Sequence, residues 1–282
     1  MASTTIGLVH PGEMGSAVGA SARAAGARVI WASEGRGAGT RKRAEAEGLE
    51  DVKTLAALAR EAAIVVSVCP PASAMDVARQ VAALRYSGIY VDGNAVAPAT
   101  SREVGAIVSA AGASFVDGGI IGPPPRQPGV CRLYLSGARA ADVASAINGG
   151  LLEAIALDGP IGAASAIKMA YAGWTKTSQA LLMAVRAFAA REGVEDALLR
   201  EWGISQKDLP KRSENAVAGT ARKAWRFVGE MEELAAAFGA AGVPGEFHEG
   251  GAEVYRRMAG WKDAPAAPSV AEVMKAVSSP RG

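Results

Sequence analysis

The segment HPGEMG at residues 10–15 sets Gly12 and Gly15 three positions apart, right after the apolar run TIGLV and right before an Ala-rich stretch. Glycines at that spacing, where a strand passes into a helix, suit the holding of a pyrophosphate. One lets the backbone approach the anion and the next lets helix and strand pack closely. The helix N-terminus then offers free N–H groups and the positive end of its dipole. His10 stands where the first glycine of GxGxxG is usual, and Pro11 removes one N–H. The segment therefore predicts a dinucleotide cradle formed by His10, Pro11, Gly12, Glu13, Met14 and Gly15. The competing reading is an ordinary strand–helix turn with incidental glycines.

The second apolar run continues as RVIWASEGRGAGTRKR, and its end reports on the ribose. An acid there favours a free 2′-hydroxyl, whereas an arginine nearby favours a 2′-phosphate. Ser33 holds the usual acidic position, with Arg36, Arg41, Lys42 and Arg43 following, while Glu34 points the other way. The expectation is NADP(H) in preference to NAD(H), with Ser33 and Arg36 at the cofactor. Otherwise these cations are the solvated face of the next helix.

Short β-branched runs alternate with Ala-rich stretches from Thr5 to about Asp158. The runs are TIGLVH, RVIWAS, AIVVSVC, GIYVDGN, SFVDGG, RLYLSG and AIALDG. Helical spacing is found at 16–25, 40–47, 55–61 and 74–83. That alternation predicts βαβ units and a mostly parallel sheet. Beyond LDGPIG the pattern becomes helical throughout, beginning with one long helix over 163–191 and ending with a short one over 270–277. The expected fold class is α/β: an N-terminal Rossmann doubly wound sheet, then an all-α C-terminal domain, joined through a long interdomain helix. The boundary is expected at Gly159–Pro160, giving a cofactor-binding domain over 1–160 and a helical substrate and dimerisation domain over 161–282.

The 282 residues are half hydrophobic and carry a net charge of +2. Neither a nucleic-acid partner nor an electrostatic hold on a membrane is indicated. Cys69 and Cys131, the two cysteines, lack metal-ligand spacing, so no metal is expected. The opening MASTTIGLVH has no basic region before a long apolar one, and no signal peptide is expected. A cytoplasmic location follows as an expectation.

Four further segments, SVCPPASAMDV (67–77), VDGNAVAPATS (91–101), FVDGGIIGPPPRQPG (115–129) and GAASAIKMAYAGWTK (162–176), occur in order after the glycine turn. With it they resemble the β-hydroxyacid dehydrogenase superfamily, which includes the 3-hydroxyisobutyrate and 6-phosphogluconate dehydrogenases. The resemblance covers nearly the whole chain, and its C-terminal half is similar to a poorly characterised 6-phosphogluconate-dehydrogenase-like branch. It implies cofactor contacts from Cys69 and Pro70, a homodimer, and Lys168 as catalytic acid/base; Asn94, which with Ala95 replaces the family's Ser-Thr pair, can still orient the nicotinamide side or a substrate hydroxyl through its amide. The lysine's role suits the chemistry, because an ammonium can stabilise and protonate the oxygen of a carbonyl that receives hydride. In the oxidative direction burial would have to lower its pKa. The scarcity of histidine, only His10 and His248, strengthens the case for lysine.

The departures from the family bear on substrate. The Asn usual one turn after the lysine is Ala172 here, leaving Tyr171, at i+3 from Lys168, as a hydroxyl donor or a packing residue, with Lys176 further along. The usual Ser-Gly-Gly acid grip is replaced by Ile121, Gly122 and Pro123, and Pro123, Pro124 and Pro125 have no N–H to offer. An apolar wall at Ile120 and Ile121 is expected, with any acid group held elsewhere, at Arg126. Glu230 and Glu233 lie in the later segment AWRFVGEMEELAAAFGAAGVP, as cleft residues or as a solvated face.

The implied activity is NADP(H)-dependent interconversion of an alcohol and an aldehyde or ketone. Two other readings stay open: an imine reductase on the same fold, against which Lys168 counts and which Tyr171 allows, and an NADPH-binding sensor without chemistry.

Overall fold

The computed structural model describes residues 3–262 and 264–279. The first two residues of the opening segment and the last three of the tail lie outside them. The chain divides into two compact units, Met1–Met169 and Ala170–Gly282.

The first unit is built on one eight-stranded sheet: β1 Thr5–Leu8, β2 Arg28–Trp31, β3 Glu50–Asp51, β4 Ile64–Ser67, β5 Ile89–Asp92, β6 Ser114–Ile121, β7 Arg132–Ser136 and β8 Glu153–Ala156. Their spatial order is β3-β2-β1-β4-β5-β6-β7-β8. All neighbours run parallel except β6 and β7, which pair antiparallel from Asp117↔Ser136 to Ile121↔Arg132. The helices between them are α1 Glu13–Ala24, α2 Ala38–Ala46, α3 Leu55–Glu61, α4 Ala74–Ala83, α5 Pro98–Ala110 and α6 Ala140–Ile147. Strand order reverses on the two sides of β1, and ligands bind outside the carboxyl ends of strands at such a point.

Both sheet faces are covered, which is why the strands read as unbroken β-branched runs rather than alternating ones. Leu8, Val29, Trp31, Val66 and Val91 pack on one face with Val18, Val143 and Ile147. Ile30, Val65, Tyr90 and Phe115 pack on the other with Val77, Val81, Val104 and Val108. Apart from β3, every strand coincides with an expected run.

α7 runs over Ala163–Arg191, and the division between the units falls inside it, after Met169, rather than at Gly159–Pro160. Its opening turns belong to the sheet unit. The second unit holds the rest of α7 with α8 Glu195–Ser205, α9 Leu209–Thr220, α10 Ala224–Ala240, α11 Glu246–Arg257 and α12 Val270–Val277. α10 and α11 pack through Phe227 and Tyr255, edge to face at 5.3 Å, and Phe238 and His248 at 4.2 Å. Among the described residues no helix is long and apolar enough to cross a membrane.

Candidate dinucleotide site and the lysine on the sheet

The turn between β1 and α1 keeps two glycines for different reasons. Gly12 caps α1 with ordinary backbone angles (φ −69°, ψ −166°) and no side-chain cap bond. A Cβ there would meet nothing within 4 Å, so the space in front of the helix N-terminus stays open. At Gly15 a Cβ would lie 2.2 Å from the His10 carbonyl oxygen, so only glycine lets the helix close onto the turn. The Gly12 N–H is returned to His10 O at 2.9 Å. The outward donors are therefore those of the first helical turn, from Glu13 onward, which a helix leaves without intrahelical partners. Pro11 removes none of them.

Beside this opening lie two orphaned polar atoms: His10 Nδ1 and Arg36 Nε are buried without a hydrogen-bond partner. Burial, and secondarily the Arg36 guanidinium, push His10 down to about 4, so the imidazole is neutral at pH 7. Burial also pulls Arg36 below its ordinary value. Arg41 is spent on the turn itself, donating to Ser33 O at 3.0 Å and Arg36 O at 3.2 Å. Lys42 and Arg43 are exposed on α2. Of the expected cations, Arg36 is the one with an unmet donor at the strand edge, beside the buried Ser33. An open helix N-terminus flanked by unmatched polar atoms fits a dinucleotide, which His10, Gly12, Gly15 and Arg36 could hold.

At the ends of β4 and β5, Asn94 is buried and its amide is engaged. Oδ1 accepts from the Cys69 N–H at 2.6 Å, and Nδ2 donates to Ser67 Oγ at 3.3 Å. It thus ties the two strand-end loops together, setting Cys69 and the exposed Pro70 that follows. Asp92 is a residue that sequence reasoning missed. Its Oδ1 accepts from the Asn94 N–H at 3.0 Å, while Oδ2 is buried without a partner. Burial pushes this carboxyl up to about 7, the Asn94 N–H bond pulls against it, and the nearby Asp117 adds to the push.

Lys168 sits on α7 where the helix crosses β6. A Cβ at Gly119 would lie 2.3 Å from Ala164 O and 3.1 Å from Lys168 Cβ, so the bare strand backbone is what admits the helix. Burial lowers the lysine pKa, opposed by Cys131, the fully buried residue just before β7. β6 ends and β7 begins at the carboxyl edge of the sheet, so Lys168 belongs to that edge. The same helix start is tied to Asp117, which accepts from the N–H groups of Gly162 and Ser165 at 3.0 and 2.9 Å.

Ile120 and Ile121 are both buried, and Gly122 takes φ +119°, with its Cβ direction blocked by Val130 O. Arg126, expected to hold an acid group, is instead paired with Glu47 at 2.5 Å, because the proline-rich loop carries it over the end of α2.

In the helical unit Tyr171 is 48% exposed and Ala172 is buried. Lys176 is paired with Glu230 and lies over the Phe227 ring at 4.9 Å, so Glu230 is not a free face residue. Thr177 Oγ1 meets His248 Nδ1 at 2.6 Å.

The doubly wound sheet, its open glycine turn and the polar atoms around it define a dinucleotide-binding domain of the Rossmann class. A family described as the NAD binding domain of 6-phosphogluconate dehydrogenase matches residues 5–146, and the chain belongs to that family, within the β-hydroxyacid dehydrogenase superfamily. A domain of unknown function matches residues 189–258. An uncharacterised 28.5 kDa protein of Methanothermus fervidus is 33% identical over 168 residues, which is 59% of this chain and 63% of that relative's length. The 3-hydroxyisobutyrate dehydrogenase of Mycobacterium tuberculosis, solved with L-serine, shares the fold at TM-score 0.73 and 16% identity, covering 99% of this chain and 100% of that one. A reductive aminase of Aspergillus terreus, solved with NADPH and ethyl levulinate, shares it at TM-score 0.58 and 17% identity, covering 97% and 99%.

Proposed function

We propose that the protein is an NADP(H)-dependent oxidoreductase that interconverts an alcohol and an aldehyde or ketone, with Lys168 as the acid–base group. The supporting observation is the lysine itself: a partly buried amine of lowered pKa, seated on bare strand backbone at the carboxyl edge where a dinucleotide binds. The nicotinamide supplies hydride when bound. The chain's part is to hold the pyrophosphate on the first turn of α1, to meet the 2′-phosphate with Arg36, and to pass a proton between Lys168 Nζ and the substrate oxygen. In the reductive direction the ammonium form donates, and activity falls as pH rises through the lysine pKa. In the oxidative direction the neutral amine accepts, and burial makes that form accessible at lower pH.

Tyr171 and Lys176 remain proposed contributors from the helical unit, and Ile121 and Gly122 the apolar end of the substrate site. The loop that replaces the usual acid grip favours a substrate lacking a carboxylate at that end. We assign the protein to the cytoplasm, in keeping with its two free thiols. A second copy is proposed to cover the exposed row Tyr171, Trp174, Leu181, Val185 and Phe188 on α7. The fold shared with a reductive aminase supports a second reading, reduction of a C=N bond by the same residues.

The test is cofactor consumption with panels of aldehydes, ketones and cyclic imines, using NADPH and NADH. Lys168→Ala is expected to lower turnover of a carbonyl substrate by roughly 10²–10⁴-fold while leaving NADPH binding intact. Tight NADPH binding with no turnover on any panel would overturn the enzymatic reading. Turnover confined to imines would move the assignment to the second.

A further inference from the structure

Asp117 is fully buried on β6 and is ringed by donors. Its Oδ1 accepts from Ser101 Oγ at 2.7 Å and Ser165 Oγ at 2.5 Å. Its Oδ2 accepts from Ser136 Oγ at 3.0 Å and from the N–H groups of Gly162 and Ser165 at 3.0 and 2.9 Å. Ser136 Oγ in turn accepts the Ala164 N–H at 3.1 Å. Ser101, Ser136 and Ser165 are as deeply buried as the carboxylate they serve.

A helix normally has its first N–H groups met by the side chain of the residue just before it. Before α7 stands Gly162, which has no side chain. The opening donors are met instead from α7's neighbours in the sheet, by a carboxylate on β6 and a hydroxyl on β7. Two residues along β6 on the same face, Gly119 receives the helix backbone at Ala164 and the Cβ of Lys168. A buried carboxylate with three buried hydroxyls is a costly way to hold a helix that apolar packing would hold as well. What such a network adds is a single allowed setting of the helix along and around its own axis. Lys168 lies one turn beyond Ser165.

We propose that Asp117 is the positioning residue of the acid–base lysine: with Ser101, Ser136 and Ser165 it fixes the first turns of α7 on β6, and so sets Lys168 over Gly119 and beside Cys131. This rests on the proposed role of Lys168.

Asp117→Asn keeps the shape but turns one acceptor into a donor facing donors. Ser165→Ala removes one bond of the ring without changing charge, and serves where the first variant fails to fold. In the full chain, a roughly 10- to 100-fold fall in kcat is expected for Asp117→Asn, with the NADPH dissociation constant within twofold, because the cradle lies on other strands. The Lys168 amine is titrated separately by carbon NMR of lysine-labelled protein, its signal assigned by its loss in Lys168→Ala. In both variants that titration is expected to move toward the ordinary lysine value by half a pH unit or more, less in Ser165→Ala. An unmoved titration, with activity lost only in proportion to folded protein, would overturn the proposal and leave Asp117 a purely structural residue. Should Lys168→Ala retain turnover, the functional reading fails, and the titration still decides whether Asp117 places the amine.

Discussion

Lys168 and Asp92 have both been carried into poor solvent, where burial disfavours whichever form is charged, so one pKa falls and the other rises. For Asp92 this has a consequence for stability. Its folded value of about 7 lies above the ordinary 3.8, so the folded chain holds the proton more tightly than the unfolded one. The stabilisation is fully present below pH 3.8 and is lost as pH rises through 7. Relative to Asp92→Asn, which cannot ionise, the wild-type unfolding free energy should decline between about pH 4 and 7, by at most about 1.4 kcal/mol per unit, and level off above. Urea denaturation of both proteins at several pH values checks this, and parallel curves would refute it. Residues of this kind were poorly visible in the sequence. Lys168 stood out because histidine is scarce and its motif is distinctive, but Asp92 and Asp117 sit in VDG triplets that read simply as strand ends. Their burial and their partners arise only from pairing across the sheet.

The β1–α1 turn shows how an element can need two glycines on separate grounds. At Gly12 there is room for a methyl group, and the backbone angles suit alanine. Gly12→Ala should leave the melting temperature unchanged and weaken NADPH binding, since the methyl group would occupy the phosphate's space. Gly15→Ala must displace a backbone carbonyl, which costs about 1–3 kcal/mol in stability. It should lower both the melting temperature and the affinity. Thermal melts alongside NADPH fluorescence titrations separate the two, and equal effects from both variants would refute the distinction. The elements themselves were largely legible. The seven long runs and the helices α3, α4, α7 and α12 follow local periodicity that tertiary packing reinforces. β3 escaped notice because Glu50 and Asp51 are charged and pair only with Ile30 and Trp31. The division between the units lies inside α7, beyond Gly159–Pro160, and no break in that helix's uniform local pattern marks it. The bonds from Asp117 to Gly162 and Ser165 span 45 and 48 residues, and no local pattern reveals them.

Among the described residues, five of the twelve exposed large apolar side chains lie on α7. Tyr171, Trp174, Leu181, Val185 and Phe188 follow one another at helical spacing, and Trp174 and Phe188 are 67% and 66% exposed. An exposed apolar row of this kind is a candidate contact surface. With the proposed second copy as its occupant, light scattering at micromolar concentration should give twice the chain's mass. Leu181→Glu combined with Phe188→Glu should halve it without unfolding the protein, as read by circular dichroism. A monomer in the unsubstituted protein would refute the assignment.

The division of the chain after Met169 leaves Lys168 with the nucleotide-binding part by a margin of one residue. If Lys168 is the proposed acid–base group, proton donor and electron source travel as a single cassette. Under that proposal, recombination past that helical turn would exchange the helical unit and keep the acid–base group with its cofactor cradle.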